Sequence, residues 1–143
     1  MEMIYTAVIV PLLWISITDF RNRTIPNIPL IIIVMLGVVQ IITGFISFTY
    51  AITGLLCVGL PFLLLACRLE GGCGIGGGDV KLCATIGFVL GPIASLMVIS
   101  EALILLALCA FIFKKKELPF APFLLFAYIV VIILYFLFGG QNV

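Results

Sequence analysis

The sequence contains no histidine. That absence excludes the H-E-x-x-H zinc site and the serine or cysteine nucleophile activated by an imidazole base. Ser16, Ser47, Ser95 and Ser100 lie in no G-x-S-G setting. Cys57, Cys67, Cys73, Cys83 and Cys109 are odd in number and form no C-x-x-C pair, so neither a disulfide framework nor a metal site is expected. They read as buried, inert cysteines. The remaining reactive groups are carboxylates: Glu2, Asp19, Glu70, Asp79, Glu101 and Glu117. Two of them stand where apolar sequence meets polar. Asp19 closes one apolar segment, in Ile17-Thr18-Asp19-Phe20-Arg21-Asn22-Arg23, and Asp79 opens another, in Gly76-Gly77-Gly78-Asp79-Val80-Lys81-Leu82.

Two aspartates on different helices at one depth can hydrolyse a peptide bond with no metal and no cofactor. One carboxylate takes a proton from water, and the other, protonated, donates to the scissile carbonyl. Like charges held about 3 Å apart cannot both ionise, so the pair shares one proton. A low dielectric strengthens that division. The glycines from Gly71 to Gly78 offer a side-chain-free approach to Asp79, along which a substrate backbone can come close. Gly72-Cys73-Gly74-Ile75-Gly76-Gly77 formally matches G-x-G-x-x-G, but the strand–turn–helix setting of a nucleotide loop is missing, and no G-x-x-x-x-G-K-[ST] occurs.

The elements that hold these residues are membrane spans. The chain is 65% hydrophobic and 9% charged, against about 45–50% and about 25% for soluble proteins, so the bilayer is the expected solvent. With a net charge of +1, nothing argues for a nucleic-acid partner, and none is expected. Apolar segments run from Met3 to Thr18, Ile28 to Ile46, Tyr50 to Cys67, Val80 to Leu90, Ile93 to Phe113 and Phe120 to Phe138. Glu2 stands where a signal peptide would be basic, and no A-x-A-like site follows Ile17, so the first segment is expected to be retained. Gly91-Pro92 divides the fourth segment from the fifth. The expected fold is therefore all-α: one domain over residues 1–143, a bundle of about six transmembrane helices, with a Gly-rich segment before the fourth. Six spans put Arg21, Arg23, Arg68, Lys81, Lys114, Lys115 and Lys116 on one side, which the positive-inside rule makes cytoplasmic, beside both aspartates. The basic residues would lie among anionic lipid headgroups.

At these residues the chain resembles the type IV prepilin peptidases. Asp19, Arg21, Arg23, Ile25, Pro26 and Asn27 are similar to the family's D-x-R-x-x-x-I-P-N motif. Gly76 to Leu82 is similar to G-x-G-D-x-K-L, and Leu118-Pro119-Phe120-Ala121-Pro122-Phe123 to the P-F-x-P-F lead-in of the last helix. The resemblance covers nearly the whole chain. It implies an aspartyl endopeptidase of the plasma membrane with Asp19 and Asp79 as the catalytic pair, cutting prepilin or pseudopilin leaders at the cytoplasmic face just before an apolar helix. Gly76, Gly77, Gly78, Lys81, Pro26 and Asn27 would shape the site. Long members of the family carry a cytosolic insertion with paired C-x-x-C motifs and also methylate the new N-terminus. This chain has no such motif, so methyl transfer is not expected.

Plainer roles compete for each residue. Asp19 could pair with Arg21 or Arg23, and Asp79 could cap its helix. Lys81 could influence the aspartates or anchor its helix at the interface. Pro26 and Asn27 would start the second helix, and Gly87 and Gly91 would allow close helix packing. Glu101, inside a span, is expected to be protonated or paired in a structural hydrogen bond. Glu70 could pair with Arg68. The alternative to an enzyme is a small ion-coupled transporter or channel subunit with Asp19 and Asp79 as ion or proton sites. Such proteins place their acids near the midplane and their halves resemble each other, and neither holds here.

Overall fold

The computed structural model describes residues 2–68, 76–114 and 118–139. These form five α-helices and, among the described residues, no strand: α1 (Glu2–Asn22), α2 (Asn27–Ile42), α3 (Phe48–Arg68), α4 (Gly77–Phe113) and α5 (Ala121–Gly139). Three of them, α1, α3 and α4, are long and apolar enough to cross a membrane, while α2 and α5 contain shorter apolar runs. The expected six helices are thus corrected to five. The fourth and fifth expected segments join into α4, because the break at Gly91-Pro92 is a bend with no intervening loop. Gly91 departs from helical geometry at φ 75° and ψ 179°. The Ser95 hydroxyl donates to the carbonyls of Gly91 and Pro92, occupying acceptors at the bend. Gly91 lies against Tyr50 of α3, and further along Glu101 lines a cavity with Tyr50 and with Val131 and Leu134 of α5. A straight continuation would carry Glu101 about 15 Å past Gly91. The second limb of α4 therefore turns back beside α5.

The helix ends follow local chemistry. Arg23 adopts the left-handed conformation (φ 52°) and its N–H donates to the Asp19 carbonyl at 2.9 Å, closing α1. Pro26, in extended geometry, precedes α2, and Pro29 falls in its first turn, where the missing N–H leaves no ladder bond broken. Gly44 (φ 74°) lets the Phe45 N–H reach back to the Gln40 carbonyl at 3.0 Å, ending α2. The Ser47 hydroxyl accepts the Tyr50 N–H at 3.2 Å and caps α3.

The core gathers Val8, Leu12 and Ile15 of α1, Ile33 of α2, Leu82 and Ile86 of α4, and Leu124 and Tyr128 of α5. The Tyr128 hydroxyl donates to the Tyr5 carbonyl at 3.0 Å, joining α5 to α1. α4 packs against α2, α3 and α5, and α1 packs against α2 and α5. The α3–α4 contact is made backbone to backbone. A methyl group added at Gly54 would stand 2.1 Å from the Gly87 carbonyl oxygen, and one at Gly87 would stand 2.4 Å from that of Gly54. Gly87 and Gly91 thus serve the close packing expected of their spacing.

Large apolar side chains such as Val10, Ile31, Leu64, Leu108 and Phe126 face outward around the bundle. Water does not tolerate so broad an apolar exterior, whereas lipid does, and the chain is a multi-pass membrane protein. Cys57 and Cys67 face outward too, which corrects the expectation that the cysteines are buried; Cys83 is buried and Cys109 partly so, and all four are free thiols. Gln40 is wholly buried, and its amide oxygen and nitrogen find no partner among the described residues.

Candidate active site

Asp19 stands in the last turn of α1 and Asp79 in the first turn of α4. The bundle brings both carboxylates to one end, and they line two adjoining cavities. The larger, of about 430 Å³, is walled by Asp19, Arg23, Thr24, Ile25, Asn27, the three glycines Gly76 to Gly78, Asp79 and Lys81. The smaller, of about 160 Å³, adds Leu118, Pro119 and Phe120 to Asp19, Arg23 and Asp79.

Each aspartate faces the amino end of a helix. Asp79 lies three residues past Gly76, the residue that precedes α4, so it is not the cap itself but sits in the field of the first unpaired N–H groups. Asp19 is only 6% exposed and belongs to the carboxyl end of α1, where the helix dipole disfavours an anion. Its Oδ2 atom instead accepts the N–H of Ala121, the first residue of α5, at 3.1 Å. The amino end of α5 thereby supplies the donor and the partial positive charge that α1 denies it. Each such placement is worth about 0.3–1 kcal/mol to a carboxylate near a surface, and more when partly buried.

The glycines before Asp79 differ in what they do. A side chain at Gly76 would stand 3.3 Å from the Asp79 Oδ2 atom, and one at Gly78 would press on Ile25 at 3.0 Å. At Gly77 it would meet open space. Gly78 therefore lets the α1–α2 turn lie flat on the start of α4, and that turn closes one wall of the cavity.

Of the residues expected at the site, Asp19, Asp79, Gly76, Gly77, Gly78, Lys81 and Asn27 line the same cavity. Pro26 does not; it acts one step away by starting α2. Glu101 is remote, half-buried in the cavity between the second limb of α4 and α5. Glu70 and Gly71 to Gly74 lie outside the described residues. Three contributors were not foreseen. The Ala121 amide is a backbone group and leaves no signature in the sequence. Arg23 lines both cavities, although the sequence read it as a topology signal, a partner for Asp19 and part of the first motif without placing it among the site residues. Leu118, Pro119 and Phe120 wall the site as well as leading into α5; the P-F-x-P-F motif pointed to the stretch without its role.

The chain matches the model of the type IV leader peptidase family over residues 6–137. It is 34% identical over 119 residues to a prepilin leader peptidase/N-methyltransferase of Bacillus subtilis (strain 168), an alignment covering 78% of this chain and 47% of that protein. The chain thus spans about half the length of this relative. No solved structure matches it. With both the polar end of the bundle and the family match covering Asp19 through Ala121, the chain belongs to the type IV leader peptidase family.

Proposed function

We propose that this protein is an intramembrane aspartyl endopeptidase that removes the leader of type IV prepilins or pseudopilins at the cytoplasmic membrane face, with Asp19 and Asp79 as its catalytic pair. The observation that carries the reading is the convergence of these two carboxylates, from α1 and α4, on one pair of polar cavities in an otherwise apolar bundle. One carboxylate removes a proton from water, whose oxygen attacks the scissile carbonyl carbon. The other gives its proton to the carbonyl oxygen. The tetrahedral intermediate then collapses, the C–N bond breaks, and the leaving amine takes up a proton from the pair. No metal and no cofactor enters these steps.

The cytoplasmic assignment is supported by charge. Arg23 and Lys81 line the site, and Arg21 lies in the last turn of α1, the turn that carries Asp19. The first limb of α4 runs antiparallel to α3, Gly54 against Gly87 and Gly59 against Ala84, so Arg68 at the end of α3 belongs to the same end of the bundle. Lys114 ends α4 shortly before the Leu118–Phe120 wall. A concentration of basic residues at one end marks the cytoplasmic side. Peptide cleavage without methyl transfer is the proposed activity, because the sequence holds no paired C-x-x-C motif.

Co-expression with a candidate prepilin tests the reading. Wild type converts precursor to mature pilin on an immunoblot, while Asp19→Asn and Asp79→Asn each insert normally and lower the rate about 10²–10⁴-fold, the usual scale of general acid–base catalysis. Undiminished cleavage by either variant rejects the aspartyl mechanism.

A further inference from the structure

A further cavity, of about 480 Å³, opens between α2 and α4 and joins the larger catalytic one, since Asn27 and Lys81 line both. From α2 it is walled by Asn27, Leu30, Ile31, Val34 and Met35. These positions fall at i, i+3, i+4, i+7 and i+8, a single stripe down one face of the helix. Lys81 and Thr85 form the opposite wall. The Thr85 hydroxyl is turned back to the Lys81 carbonyl at 2.7 Å, which leaves its methyl group as the apolar part of that side chain. The groove is polar where it meets the aspartates and apolar beyond, over about 12 Å or two helical turns. Ile31 and Met35 are about three-fifths exposed, so its outer lip is open to the side of the bundle.

This polarity gradient describes its occupant. A chain lying in the groove with its scissile bond at Asp19 and Asp79 must turn from polar to apolar at that bond and be helical beyond it, because unpaired backbone groups are not tolerated against lipid. Resting on the peptidase reading, we infer that the α2–α4 groove seats the first two turns of the substrate's apolar helix, entering sideways from the bilayer. A phospholipid shares the polar-to-apolar order, but its headgroup does not account for a groove whose polar end opens into the cavity that holds both aspartates.

Cross-linking and kinetics test the assignment. In the Asp79→Asn protein with full-length membrane substrate, a photoreactive residue at Val34 or Met35 is expected to capture the substrate's apolar segment. The same group at Leu108, outward-facing on the second limb of α4, provides the background. Capture of phospholipid alone, or of substrate no better than at Leu108, overturns the proposal. In the active enzyme, Val34→Trp fills the groove and is expected to raise KM for the membrane substrate about tenfold or more. It should leave unchanged the cleavage of a short soluble peptide that spans the scissile bond and lacks the apolar helix. Equal cleavage of both substrates by Val34→Trp and wild type rejects the groove but keeps the peptidase. A wild-type protein that cuts neither substrate rejects the peptidase, and the groove assignment with it. Should Val34→Trp lose both activities through misfolding, the cross-linking result decides.

Discussion

Replacing Gly54 by alanine, far along the helix pair from either aspartate, is expected to damage catalysis. The added Cβ would stand 2.1 Å from the Gly87 carbonyl oxygen and 2.7 Å from the Gly91 backbone. None of these atoms is the end of a side chain that can swing aside. Raising the tightest contact from 2.1 to 3.0 Å, the shortest a real Cβ tolerates, opens the α3–α4 packing by about 0.9 Å. Overpacking of this kind costs about 1–3 kcal/mol. The displaced limb of α4 carries Asp79, whereas Asp19 rides on α1, which makes no contact with α3 among the described residues. The share of the displacement that α4 takes up therefore falls between the two carboxylates. An error of about 1 Å at a catalytic pair can cost about 10²-fold in rate. Thermal unfolding in detergent and cleavage of a membrane-embedded prepilin, normalised to folded protein, measure the two effects separately. Gly77→Ala is the control, since a methyl group there meets nothing. A Gly54→Ala protein with the wild-type unfolding midpoint refutes the packing argument. Reduced stability with undiminished cleavage per folded molecule refutes the link from packing to chemistry.

Three further outcomes are expected. Gly78→Val should lower cleavage by pushing the α1–α2 turn off α4 through Ile25, and activity equal to that of Gly77→Val would show the turn is not part of the site. Gln40→Met removes two buried amide atoms that lack partners among the described residues and should stabilise the protein by about 1–3 kcal/mol in detergent unfolding; a fall in stability would mean the amide is satisfied after all. A pair sharing one proton requires a bell-shaped pH–rate profile, lost on the acid side when both carboxyls are protonated and on the alkaline side when both are ionised. A profile that only climbs to a plateau would exclude the shared proton.

The catalytic candidates were legible because chemistry and hydropathy marked the same positions. Without histidine the reactive groups reduce to carboxylates, and only Asp19 and Asp79 sit at polar borders flanked by matching motifs. The number of helices was less so. Hydropathy registers the break at Gly91-Pro92 but not whether chain intervenes between the limbs, and here the turn is made by Gly91 itself. The spacing of Gly87 and Gly91 announced a close contact without naming Gly54 as its partner, since a groove in one helix says nothing of the ridge that fills it. The Ala121 amide could not be read at all: every residue except proline carries an N–H, and only the packing of α5 on α1 directs this one to Asp19.

That bond bears on how the protein is made. Both carboxylates have been synthesised once translation passes residue 79, but the donor that holds Asp19 arrives only at residue 121. A nascent chain inserting helix by helix therefore carries both reactive groups for some forty residues of synthesis before Asp19 is secured. In the proposed peptidase, the seating of Asp19 would thus follow the arrival of α5, after both carboxylates are already in the membrane.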